Sequence, residues 1–98
     1  MPIRFEWSAR KARLNLQKHG VSFEEAMTCF DDKMEITIGD PDHSSEGEDR
    51  FLLLGMSKAG RLLAVSHTER GDRTRLISAR EAARNERENH ETQLRRRS

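Results

Sequence analysis

The stretch from His67 to Arg80 gathers His67, Glu69, Arg70, Arg73, Arg75 and Arg80. An imidazole titrates near neutral pH and can take or give a proton. Arginine is a permanent, planar, bidentate cation suited to phosphate. In a strand beginning at Leu62, the period of 2 places Leu63, Val65, His67 and Glu69 on one face. His67 and Glu69 are then neighbours at a sheet edge, with Arg70 and Arg73 flanking the next turn and Arg75 sharing Arg73's alternation. This constellation fits a phosphodiester site. A blander reading stays open for each member: His67 as a packed strand-end residue, and Glu69 with Arg73 as a cross-strand ion pair worth at most about 1 kcal/mol.

Other residues offer weaker chemistry. His43, within Asp42-His43-Ser44, suits a second acid or base, or plain turn chemistry through Asp and Ser. Lys11 fits a phosphate contact or a solvated helix face. Trp7 suits base stacking or the core, and Cys29 reads as packing. His43 with Asp40, Asp42 and Asp49 matches no metal-ligand spacing, so no metal and no other cofactor is expected. Neither a phosphate-binding glycine loop nor a nucleophile elbow is present.

The elements that must hold these groups follow from periodicity. Phe5-Glu6-Trp7 is a short extended opening. Ser8 caps a predicted helix to His19, with Ala9, Ala12 and Leu16 on one stripe and Gly20 as its stop. Ser22-Phe23-Glu24-Glu25 is a capping box, and Phe23, Ala26, Met27 and Phe30 continue that second helix to Asp31-Asp32. Met34, Ile36 and Ile38 then alternate as a half-buried strand. A polar loop over 40–49 precedes the apolar run Phe51–Leu54. Ser57–Gly60 is a turn, Leu62–Thr68 a partner strand, Arg70–Asp72 a second turn, and Thr74–Ile77 the last strand. Ser78-Ala79-Arg80-Glu81 reads as a further capping box, opening a polar helix to Leu94 and placing Arg80 at its anion-attracting N-terminus. Residues 95–98 are left as a disordered basic tail. The expected fold is α+β: two N-terminal helices, a four-stranded antiparallel twisted sheet and a C-terminal helix.

Ninety-eight residues make a single domain over 1–98 with one thin core. Hydrophobic residues are 34% and charged residues 36% of the chain. No run approaches a membrane span, and the N-terminus has no signal-peptide pattern. The lone Cys29 suits a reducing, cytoplasmic setting. The net charge of +1 hides segment sums of +2 over 1–30, −5 over 31–60 and +4 over 61–98. An Arg-rich end beside an acidic middle suits nucleic acid, an acidic partner or self-compensation.

Several ordered pieces resemble one family: Phe5-Glu6-Trp7, Lys18-His19-Gly20-Val21-Ser22-Phe23, Asp40-Pro41-Asp42-His43-Ser44, His67–Arg73 and Leu76–Arg80. They resemble the BrnT ribonuclease toxins of type II toxin–antitoxin systems, across residues 5 to about 90. Asn85 and His90 depart from it, standing where arginine and tyrosine are common. The resemblance implies a RelE-like fold and metal-independent endoribonuclease activity that inhibits translation. It also implies neutralisation by a BrnA-type antitoxin in a heterotetramer, with operator DNA bound only through the antitoxin. Under it, His67, Glu69, Arg70 and Arg80 are the candidate catalytic residues, and Lys11, His43, Arg73 and Arg75 the candidate RNA contacts. The alternative is a non-catalytic, Arg-rich binding protein acting as co-repressor.

Overall fold

In the computed structural model, which describes residues 3–40 and 48–97, each N-terminal helix starts at a serine. Helix α1 (Ala9–His19) is capped by Ser8 Oγ, which accepts from Lys11 N–H at 3.3 Å. It stops at Gly20, whose φ of 67° is left-handed and whose N–H bonds Leu16 O at 2.9 Å. Helix α2 (Phe23–Thr28) is capped by Ser22 Oγ on Glu25 N–H at 3.0 Å. It tightens into a 3₁₀ turn over Cys29–Asp31 rather than running on as α-helix. Glu25 does not close the expected capping box. Its carboxylate turns instead to Arg61 Nε at 3.0 Å and Ser57 Oγ at 2.7 Å, tying α2 to the loop after the third strand. Arg61 accordingly holds the Glu25 carboxyl below the usual carboxylate range.

The strands are β1 (Arg4–Glu6), β2 (Ile36–Gly39), β3 (Arg50–Met56), β4 (Leu62–Arg70) and β5 (Arg73–Glu81). They form one sheet in the order β1-β5-β4-β3-β2, antiparallel except for the parallel β1–β5 pair. The sheet is therefore five-stranded and mixed, not four-stranded and antiparallel. The opening Phe5-Glu6 segment is its fifth strand, too short for periodicity to reveal a partner. Met34 lies outside β2, and only Ile36 and Ile38 of the expected alternation are in the strand.

Alternation gives the sheet two unlike faces. The helix-side face carries Leu53, Leu63, Val65, Leu76 and Ala79, packed with Val21, Phe23, Ala26 and Cys29. Burial pushes the Cys29 thiol up to about 12, which removes thiolate reactivity at neutral pH. Trp7 packs at this core's margin, edge-to-face on Phe23 with centroids 5.8 Å apart.

The stripe expected on α1 is displaced. Leu16 is 52% exposed, and the buried residue of α1 is Asn15. β1 pairs only with Arg73–Arg75, so the far half of β5 has lost its neighbour. The Asn15 amide takes that place. Oδ1 accepts from Ala79 N–H at 3.0 Å, while Nδ2 donates to Ala79 O and Val21 O at 2.8 Å each.

The last helix also begins later than expected. Ser78–Glu81 are strand, because β4 continues the ladder as far as Leu63↔Glu81. Helix α3 spans Arg84–Arg97, so Arg95–Arg97 are its last turn rather than a tail. Its start is held by Glu86, whose Oε1 accepts from Ala83 N–H at 2.8 Å. Leu54, Leu62 and Ala64 are buried on the outer face of the sheet. α3 is tied to this face through the bonds of Glu86 to Arg80, and its buried residue is His90.

Candidate functional site

The outer face is a lattice of basic and hydroxyl side chains whose order is read from strand register. Nearest the β4–β5 turn, Arg4, Arg73 and Arg70 are successive neighbours across β1, β5 and β4. One row along stand Glu6, Arg75, Thr68 and Arg50. The next row holds Ser78, Ser66 and Leu52, and beyond it lie Arg80, Ala64 and Leu54. Cross-strand neighbours are about 5 Å apart, comparable to the spacing a phosphodiester can bridge.

A bulge decides which residues share this face. Ser66 pairs with Ser78, but His67 pairs with Leu76, leaving Ile77 without a partner. Arg80 is five positions after Arg75, an odd offset that in an unbroken strand would send them to opposite faces. The extra residue brings them to the same one. Arg80 is thus a strand residue, not a helix-start residue. Its guanidinium holds the Glu86 carboxylate, through Nη1 at 2.7 Å and Nη2 at 2.9 Å. The pair is bidentate and drives the Glu86 carboxyl below its ordinary range.

Other cations here are also braced. Arg75 Nη1 lies 2.8 Å from Glu6 Oε2, Arg73 3.8 Å from Glu6 Oε1, and Arg70 3.6 Å from Glu48. A cavity of about 240 Å³ opens on this face, lined by Asp40, Arg50, Ser66, Ile77, Ser78 and Arg80 among others. A neighbouring cavity between α1 and β5 shares Ile77 and Ser78 and adds Lys11, which places Lys11 at the margin of the arginine face.

His67 and Glu69 are on the other side. They line a cavity of about 300 Å³ on the helix side, with Phe30, Glu35, Thr37, Phe51 and Thr74. The His67 ring stacks on Phe51 at 5.8 Å and meets Phe30 edge-on at 5.0 Å. Its side chain is 4% exposed, and burial lowers its pKa. Nε2 lies 4.0 Å from Glu69 Oε1, beyond hydrogen-bond reach. The six residues from His67 to Arg80 therefore do not form one site: the imidazole and carboxylate face the helices, and the four arginines face outward. His43 lies outside the described residues.

Arg50, Ser66, Ser78, Glu86 and Asn15 did not emerge from the sequence as site or supporting residues. Alternation with Leu52 and Leu54 was a signal available for Arg50. None marked Asn15, whose role depends on where β1 ends. Among the described residues, no three His, Cys, Asp or Glu side chains cluster so as to hold a metal ion, and no helix is long and apolar enough to cross a membrane.

The molecule is thus a small α+β protein that presents arginines on one sheet face and packs α1 and α2 on the other. The sequence profile described as "Ribonuclease toxin, BrnT, of type II toxin-antitoxin system" matches residues 7–86, and the chain belongs to that family. It is a ribonuclease toxin by membership, a class defined by an antitoxin partner. The fold is similar to the 1.1 Å crystal structure of the Brucella abortus ribonuclease toxin BrnT, with a TM-score of 0.61 and 21% identity. That match covers 85% of this chain and 100% of the other. No curated protein matches the sequence.

Proposed function

We propose that the chain is a metal-independent endoribonuclease that draws its substrate across the outer face of the sheet. The observation that carries this reading is the convergence of Arg50, Arg70, Arg73, Arg75 and Arg80 on that face, around Thr68, Ser66 and Ser78. The substrate's own 2′-OH attacks the adjacent phosphorus to form a 2′,3′-cyclic phosphate, and the 5′-oxygen leaves with a proton taken from water. Negative charge grows on the phosphoryl oxygens in the transition state, where fixed arginines stabilise it more than they do the ground state. Glu86 and Glu6 hold Arg80 and Arg75 in place beforehand. Asp40, the carboxylate in the same cavity, takes the 2′-OH proton. Arg70, Arg73 and Lys11 bind backbone phosphates on either side of the reacting one.

In the cell, this activity inhibits translation, and a BrnA-type antitoxin neutralises it while carrying the complex to operator DNA. The non-catalytic co-repressor reading predicts a different dependence, in which arginines act through charge alone and lysine replaces them without loss. Incubation of the purified chain with labelled total RNA in EDTA separates the two. Cleavage by the wild type, reduced about 10²-fold or more by Arg75→Ala or Arg80→Ala and poorly restored by lysine, is the expected result. Full cleavage by an Arg75→Ala/Arg80→Ala chain would overturn the assignment.

A further inference from the structure

The helix-side cavity has a chemical character opposite to that of the arginine face. Two of its lining groups are carboxylates, Glu35 and Glu69, and neither meets an arginine or lysine among the described residues. The hydroxyl protons of its two threonines are already committed. Thr37 Oγ1 donates to Glu35 Oε2 at 2.7 Å, and Thr74 Oγ1 donates to Glu69 at 3.2 and 3.3 Å. His67 Nδ1 lies 3.3 Å from the Val65 carbonyl, which can only accept, so the proton resides on Nδ1. In the neutral ring Nε2 is then a bare acceptor. It belongs to a side chain only 4% exposed, lies on the cavity side of the ring toward Glu69, and has no hydrogen bond among the described residues.

Every side-chain polar group lining this cavity that is not already committed as a donor is therefore an acceptor, and the remaining walls are Phe30, Phe51, Leu53 and Ile3. A phosphate is repelled by such a site. A nucleobase fits poorly, because each base edge mixes donors with acceptors that would go unmet. The complement is a planar cation bearing several N–H donors, whose flat faces lie against aromatic rings. At about 300 Å³ the cavity is at the small end of ligand sites, sized for one side chain.

We propose that this cavity is the receptor for an arginine side chain of the toxin's protein partner. Its guanidinium sits between Glu35 and Glu69 against the Phe51 ring, with one N–H directed at His67 Nε2. The inference rests on the toxin reading for the identity of the partner, but not for the chemistry of the cavity. Partner binding would then engage the side of the sheet opposite to the RNA.

The test is a titration of isotope-labelled chain with arginine amide, norleucine amide and guanosine monophosphate, read on the His67 ring and the Thr37 and Thr74 amides. Saturable shifts with arginine amide and none with norleucine amide are expected. At least a tenfold loss is expected in Glu35→Gln/Glu69→Gln chain that keeps the wild-type melting temperature. Glu35→Gln alone serves if the double variant does not fold. Failure of arginine amide to shift these signals, or guanosine monophosphate shifting them in its place, would overturn the proposal. A second arm measures antitoxin binding, which the same substitutions should weaken at least tenfold and arginine amide should compete away. Unchanged antitoxin affinity would overturn the choice of partner. If no antitoxin binds the wild type, the toxin reading fails, while the arginine-amide arm still decides the cavity.

Discussion

The two faces of this sheet are built from the same strands and have opposite chemistry. The outer face sets arginines and hydroxyls around an open cavity, with Arg73 and Arg75 braced by Glu6 and Arg80 by Glu86. The helix-side face buries a neutral histidine among phenylalanines, with two carboxylates that no described cation meets. A strand residue's parity selects the face, and the face selects which charge is tolerated. One is suited to an anionic polymer and the other to a cationic side chain. Paired carboxylates make the arginine lattice affordable on so small a protein, since cross-strand arginines alone would repel.

The largest effect outside the RNA chemistry is expected at Asn15, which secures the β5 edge that both faces share. Asn15→Ala leaves Ala79 N–H, Ala79 O and Val21 O without partners. A loss of about 3 kcal/mol is expected, read as a lower urea midpoint at unchanged slope. Next comes salt. RNA affinity should fall linearly with log salt concentration, and Arg73→Ala should reduce the slope by about 0.7. Arginine amide binding at the helix-side cavity should lose far less affinity with salt.

The pH response should separate the faces again. His67 has a folded-state pKa below its unfolded value, because burial penalises the charged ring against the opposing pull of Glu69 and Glu35. The unfolded chain therefore binds the proton more readily as pH falls through the ordinary histidine range, and stability is lost there. His67→Phe should flatten the melting temperature between neutral pH and the folded-state pKa of His67. The smallest effect is expected at Glu86, which bonds both Arg80 and the Ala83 N–H. Glu86→Ala should cost about 1 kcal/mol of stability, measured by chemical denaturation.

Much of this was legible in the residues themselves. Both N-terminal helix starts, the Gly20 stop and the two hairpin turns follow from local chemistry that tertiary structure did not override. The division of the candidate site was partly legible as well. The same period of 2 that joins His67 with Glu69 sends Arg70 to the opposite face. The position of Arg80 was hidden for two reasons. Ser78-Ala79-Arg80-Glu81 satisfies a helix-capping pattern, yet the β4 ladder provides more partners and keeps these residues extended. The bulge at Ile77 carries no distinctive residue type, and it alone unites Arg75 with Arg80. Asn15 was hidden because its partners are backbone groups far along the chain, and side-chain patterns cannot show where a strand loses its neighbour.

The division between the faces is tested most directly by mapping an uncleavable RNA on the molecule. A 2′-O-methyl oligonucleotide titrated into isotope-labelled chain should shift the Ser66, Thr68 and Ser78 amides and the side-chain signals of Arg75 and Arg80. The His67 ring and the Thr37 and Thr74 amides should stay in place. Shifts centred on His67, Thr37 and Thr74, with the arginine face unmoved, would contradict the account.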